Sequence, residues 1–186
     1  MDSIYKEDNW FLYHYQKNLF MPNEFVEHIR MAVTEHNNDP KSVLVFSGGQ
    51  TRMQAGPISE ASSYYRISKL FPYNSTLNVF TEDYATDSFE NLLFSICRFQ
   101  QVTGQYPKRI TVIGMYFKEK RFRELHAHAL NLESLNYESP DLKLIDHNCL
   151  RQILGVVARH FQGKGQKEIP SEIGIPMLNL VRDMRI

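Results

Sequence analysis

Three times in succession this chain runs from a short apolar stretch, through a polar loop, into an amphipathic helical pattern. The first unit is the strand Val43–Phe46, the loop SGGQTRMQAGPI and a helix beginning near Ser59. The second is Leu77–Phe80, the loop TEDYATD and a helix over 88–102. The third is Ile110–Ile113, the loop GMYFKE and a helix over 121–132. A fourth apolar run, Leu142–Ile145, is placed to close the series. Strands of this length alternating with amphipathic helices predict an α/β fold. Its sheet is mainly parallel, has about four strands and lies between flanking helices in a three-layer sandwich. Two further helices are predicted ahead of the first strand, over 8–19 and 23–36, and one after the last run, in LRQILGVVARHF. The expected organisation is one α/β domain over residues 1–150, with a C-terminal helix and irregular tail over 151–186.

Ligands of open parallel sheets bind beyond the carboxyl ends of the strands. The same topology brings all three strand-to-helix loops to one edge. The first loop contributes Ser47, Gly48, Gly49, Gln50, Thr51 and Arg52, and the helix start after it contributes Ser59 and Glu60. Gly48-Gly49 can take positive φ and bare N–H groups toward an anion, or can simply turn the chain. Ser59 with Glu60 reads as a helix cap, and also as a polar pair facing the cleft. The second loop carries Glu82 and Asp83 at the strand tip, suited to a hydroxyl, a cation or acid–base work. Asp87 and Glu90 stand at capping-box spacing around Ser88, and Asn91 follows them. The third loop places Lys118 and Arg121 three apart, as an anion clamp or a solvated basic face. His126 and His128, two apart, do not make a metal pair.

Composition removes several classes. Lys+Arg and Asp+Glu are 21 each, so the formal charge is zero, unlike a typical polyanion binder; no nucleic acid is expected as partner. No apolar run approaches the ~18 residues that span a bilayer, and MDSIYKEDNW does not read as a signal peptide. A soluble cytoplasmic protein without a membrane partner is the expectation. Cys97 and Cys149 form no metal or disulfide spacing and are expected to be buried as small hydrophobes.

Together, LVFSGGQT with its downstream SEA, then TEDYATDSFEN, then a strand leading into FKEKRF resemble the domain of unknown function 218 family, the SanA/YdcF-like proteins. The long forms SGGQTR…SEASSYY and FKEKRFRELH look most like the fungal cytosolic branch, and the likeness covers about residues 8–135. The resemblance implies a Rossmann-like fold, with a polar site on Ser47, Gly48, Gly49, Ser59, Glu60, Glu82, Ser88, Glu90, Asn91, Lys118 and Arg121. It implies S-adenosylmethionine or another nucleotide-like ligand. With the loop reading, it points to a small-molecule-binding protein or an enzyme acting on a nucleotide-like or phosphorylated compound, with Glu60, Glu82 and Glu90 as candidate catalytic groups. Members of the family begin with a further apolar strand, and this chain starts at what looks like the helix after it. The expectation is a sheet lacking a central strand, whose bared edges favour self-association. The alternative function is therefore a degenerate, non-catalytic relative.

Overall fold

The computed structural model describes residues 2–74 and 78–140, and the backbone of Leu178–Val181. Helix α1, Met21–Asn38, precedes strand β1, Leu44–Ser47. Helix α2, Glu60–Ser68, leads to strand β2, Val79–Glu82, and helix α3, Ser88–Thr103, to strand β3, Thr111–Ile113. A π-helical turn, Arg121–His126, runs into α4, Ala127–Ala129, before strand β4, Asn136–Glu138. Strand β5 is Leu178–Val181. The architecture is mixed α/β.

The five strands lie in the order β2-β1-β5-β3-β4. β1 pairs in parallel with β2, Leu44 opposite Val79, and β3 with β4, Thr111 opposite Asn136. β5 runs antiparallel to both β1 and β3, with Leu180 opposite Val45 on one side and Val112 on the other. Among the described residues the sheet is thus mainly parallel, as expected, but two parallel pairs flank one reversed strand that was not. The expected gap at the centre of the sheet is corrected, because β5 occupies it. The loops after β1, β2 and β3 still leave on one side, since β1 and β3 share a direction opposite to β5.

Alternation along the strands feeds two cores. Leu44, Phe46 and Ile113 face α1 and α2, where Phe25, Ile29, Ala32, Ala61 and Tyr64 are buried. Val43, Val45 and Val112 face α3 and the π-helical turn through Leu92, Ile96, Phe99 and Phe122. In α1, Phe25, Ile29, Ala32, Val33 and His36 are buried at helical spacing, and Pro22 sits in the first turn, where its missing N–H costs nothing.

Some expected elements change form. The helix predicted over 8–19 is absent; 3-10 turns at Asp2–Tyr5, Glu7–Asn9 and His14–Gln16 stand in that region. Trp10 and Leu12, two residues apart, both pack on the α1–α2 core, which a helix could not arrange. Trp10 lies 5.4 Å from Phe25 and 6.2 Å from Tyr64, ring centre to ring centre, and its indole N–H donates to the Ile4 carbonyl at 2.7 Å. β2 begins two residues later than predicted, so Glu82 ends a strand instead of opening a loop. Cys97 is exposed on α3, contrary to expectation. Leu142–Ile145, Cys149, the helix in LRQILGVVARHF and most of the 151–186 tail lie outside the described residues. Among the described residues no helix is long and apolar enough to cross a membrane.

Candidate functional site at the carboxyl end of the first strand

Ser47 ends β1 with its side chain buried. Its hydroxyl donates to Glu82 Oε2, with Asn91 Oδ1 at 3.0 Å. The other Glu82 oxygen accepts the N–H groups of Tyr84 at 2.7 Å and Ala85 at 3.1 Å. Ser47, Glu82 and Asn91 therefore form a closed knot tying β1, β2 and α3 together, and the Glu82 carboxylate is consumed by protein donors.

The glycine pair serves the same packing. The Gly48 N–H donates to the Glu82 carbonyl at 2.9 Å, and the Gly49 N–H to the Ala85 carbonyl at 2.6 Å. Their carbonyls accept the N–H groups of Ala61 and Glu60, at 3.0 and 3.1 Å. A Cβ on Gly49 would stand 2.8 Å from the Ala85 oxygen, and one on Gly48, where φ is +151°, would stand 3.0 Å from the Glu60 Cβ. These N–H groups donate to protein carbonyls, and crowding calls for glycine at both positions, by the Ala85 and Tyr84 backbone at Gly49 and by the Glu60 side chain at Gly48.

The second loop is equally self-contained. Asp83 accepts hydroxyls from Ser59, from Ser62 at 3.2 Å and from Thr81 at 2.8 Å. Ser59 also caps α2 by accepting the Ser62 N–H at 2.9 Å. Asp87 caps α3 through the Phe89 and Glu90 N–H groups, both at 2.8 Å. Glu90 reaches back to the Thr86 N–H and hydroxyl, each at 2.7 Å. Ser88 is buried in the first turn of α3.

Glu60 and Lys118 differ from these. Lys118 ends a 3-10 turn, Tyr116–Lys118, and is 1% exposed. It does not share a regular helical face with Arg121, which opens the π-helical turn, although the Arg121 charge reaches it. Burial pushes the Lys118 ammonium down to about 8, against the pull of Glu60. Burial pushes the Glu60 carboxyl up to about 8, although Lys118 and Arg52 favour its ionised form. His126, its imidazolium disfavoured by burial and by Arg121, stacks edge-on against Phe89 and Phe122, as a packed histidine would.

Glu60 opens onto a cavity of about 490 Å³ between the N-terminal segment, the first loop and α2. Its wall is largely apolar, with Trp10, Phe11, Phe25 and Ile67 among the lining side chains. Gly49, Thr51 and Arg52 reach it from the first loop, whereas Gln50 points away and bonds the Pro57 carbonyl at 3.4 Å. Three buried polar atoms of its lining have no hydrogen-bond partner: Gln16 Nε2, Glu60 Oε1 and Tyr64 Oη. The Gln16 amide oxygen accepts the Tyr13 N–H at 2.8 Å and Arg52 Nη2 at 2.9 Å, which fixes the orientation of the amide. Arg52 also lies over the Tyr13 ring.

Of the predicted site residues, the structure brings Gly49, Thr51, Arg52 and Glu60 to this cavity. Ser47, Gly48, Ser59, Glu82, Ser88, Glu90 and Asn91 belong to the framework beside it. Gln16, Tyr64 and Trp10 escaped sequence reasoning. Tyr64 follows Glu60 by four residues on one helical face, a readable signal. Gln16 meets Arg52 across 36 residues of sequence, and nothing local announces that pairing.

The chain is 33% identical over 147 residues to uncharacterized protein YOR238W of Saccharomyces cerevisiae, a match taking in 58% of this chain and 48% of the yeast protein. The chain thus spans about half the length of that relative. No family model matches it, and no solved structure does.

Proposed function

We propose that this chain is a small-molecule-binding α/β protein whose ligand occupies the cavity beside Glu60. One observation carries the reading. Three buried polar atoms, on Gln16, Glu60 and Tyr64, go unpartnered, and all three line one mainly apolar cavity. Buried polar groups are ordinarily satisfied, because each one left bare costs about 1–3 kcal/mol. Apolar walls with a few convergent polar groups, one strongly shifted in pKa, characterise ligand sites, which run to roughly 300–1,000 Å³.

Our reading keeps the Rossmann-like family resemblance as its frame. The yeast likeness supports the fungal side of that resemblance; membership of the domain of unknown function 218 family remains our proposal. Nucleotide-like and phosphorylated compounds, S-adenosylmethionine included, are the first ligands to try. Binding without catalysis is the favoured form of the reading. Glu82 and Glu90, two of the three carboxylates expected to do chemistry, already accept protein donors. Glu60 with Lys118 is the pair on which an enzymatic reading rests.

Thermal unfolding with a panel of nucleotides, S-adenosylmethionine, sugar phosphates and small organic acids tests the proposal. A ligand at a hundred times its Kd adds about 2.7 kcal/mol of stability. The expected result is a cooperative transition that moves with at least one compound, and moves less in Tyr64→Phe. A cooperative transition that no compound moves overturns the reading.

A further inference from the structure

The polar lining of the cavity is biased toward donors. The Gln16 oxygen already accepts two hydrogen bonds, so the atom it turns to the cavity is the NH2 group, buried in a residue that is 2% exposed. Tyr64, also 2% exposed, offers a hydroxyl with no partner. Arg52 brings positive charge to the same wall, and Lys118 stands close enough behind Glu60 for its charge to act there. The remaining group is the Glu60 carboxyl. Burial pushes it toward the neutral acid form, which offers a proton and puts less negative charge against an incoming anion. An ammonium ligand would meet the Arg52 cation and surplus N–H and O–H groups. An anionic, acceptor-rich group would satisfy the orphaned donors and find a net positive wall.

Resting on the cavity reading above, we infer that the ligand is an organic acid: an apolar or aromatic body against Trp10 and Phe25, with an anionic carboxylate or phosphate head held by the Gln16 amide, the Tyr64 hydroxyl and Arg52. The body is selected by the aromatic wall, and the head by the donor surplus. This sets the site apart from the strand-end phosphate clamp expected on Gly48, Gly49, Lys118 and Arg121. There the glycine N–H groups are already committed to protein carbonyls.

A matched series with one body and four heads provides the test: 3-phenylpropionate, 2-phenylethyl phosphate, 3-phenylpropan-1-ol and 3-phenylpropylamine. The chain has a single tryptophan, and Trp10 lines the cavity, so its fluorescence reports occupancy. At pH 7 an acid should bind at least about tenfold tighter than the alcohol or the amine, one charge-assisted contact being worth about that factor. Whichever acid binds tighter names the head. In Tyr64→Phe, which keeps the ring, the acid's advantage should shrink severalfold while alcohol affinity stays within about twofold. In Gln16→Glu, which replaces the donor with a carboxylate, the preference should turn toward the amine. If the alcohol or amine binds as tightly as the acids, the organic-acid inference is wrong and the cavity reading stands. If none of the four perturbs Trp10, the organic-acid inference is wrong, and the cavity reading is decided by the unfolding panel alone.

Discussion

Glu60 decides how stability responds to pH. Its folded-state value of about 8 lies above the ordinary 4.5. Between those values the folded protein holds a proton that the unfolded chain has released, so stability falls as pH rises through the window, by at most about 1.4 kcal/mol per unit. Lys118 acts with the opposite sign. Pushed from 10.5 down to about 8, it releases its proton earlier when folded, so its contribution makes stability rise from pH 8 toward 10.5. Urea titrations of Glu60→Gln should show the loss between pH 5 and 8 largely removed; an unchanged slope would place the proton elsewhere. Gly49 gives a second test. Gly49→Ala drives a Cβ to 2.8 Å from a backbone oxygen, and should cost about 1–3 kcal/mol in the same assay. Full stability in that variant would show that the loop after β2 yields freely. What the sequence showed at this scale was residue type and rough place. Glu60 was visible as the acidic residue after a capping serine. Whether Gly49 met a ligand or a neighbouring loop was not visible, because its crowding atoms belong to Tyr84 and Ala85, some 36 residues away.

Among the elements, helix starts were the most legible, since caps are written locally. Ser59 and Asp87 both cap as their neighbours suggested. Asp87→Ala removes the partner of two N–H groups at the head of α3 and should cost about 0.5–2 kcal/mol by chemical denaturation. Asp87→Asn should recover most of that loss; failure to do so would mean the charge beside Lys118 matters more than the cap. The segment before α1 was the least legible. Its aromatic residues fit a helical stripe nearly as well as an extended path. Long-range packing of Trp10 on Phe25 and Tyr64 chose the extended path. Boundaries slipped where an apolar run continues into polar residues that are themselves buried, as Glu82 and Ser47 are.

At the scale of the molecule, the alternating strand–helix grammar conveyed the parallel β1–β2 pair, the place of β3 and the common exit side of their loops, but not β4 at Asn136–Glu138. Nor did it convey β5. Four residues carry no direction of their own, and a strand's orientation is set by the neighbours it finds. The backbone ladder through Leu180 faces β1 on one side and β3 on the other, so Leu180→Pro removes a central N–H donor and should destabilise the fold by about 3 kcal/mol or more. Thermal unfolding that is unchanged in this variant would detach β5 from the sheet.

The reversed strand also sets a timetable. β1 is complete at Ser47, but its inner neighbour begins at Leu178. At the usual ribosomal pace of roughly 5–20 residues per second, the intervening stretch of about 130 residues takes on the order of 7–26 s to make. For that time each nascent chain carries the inner side of β1 without its partner, and for about the second half of it the inner side of β3 as well. Those half-built edges are open to pairing with other chains until the last strand arrives to join the two halves.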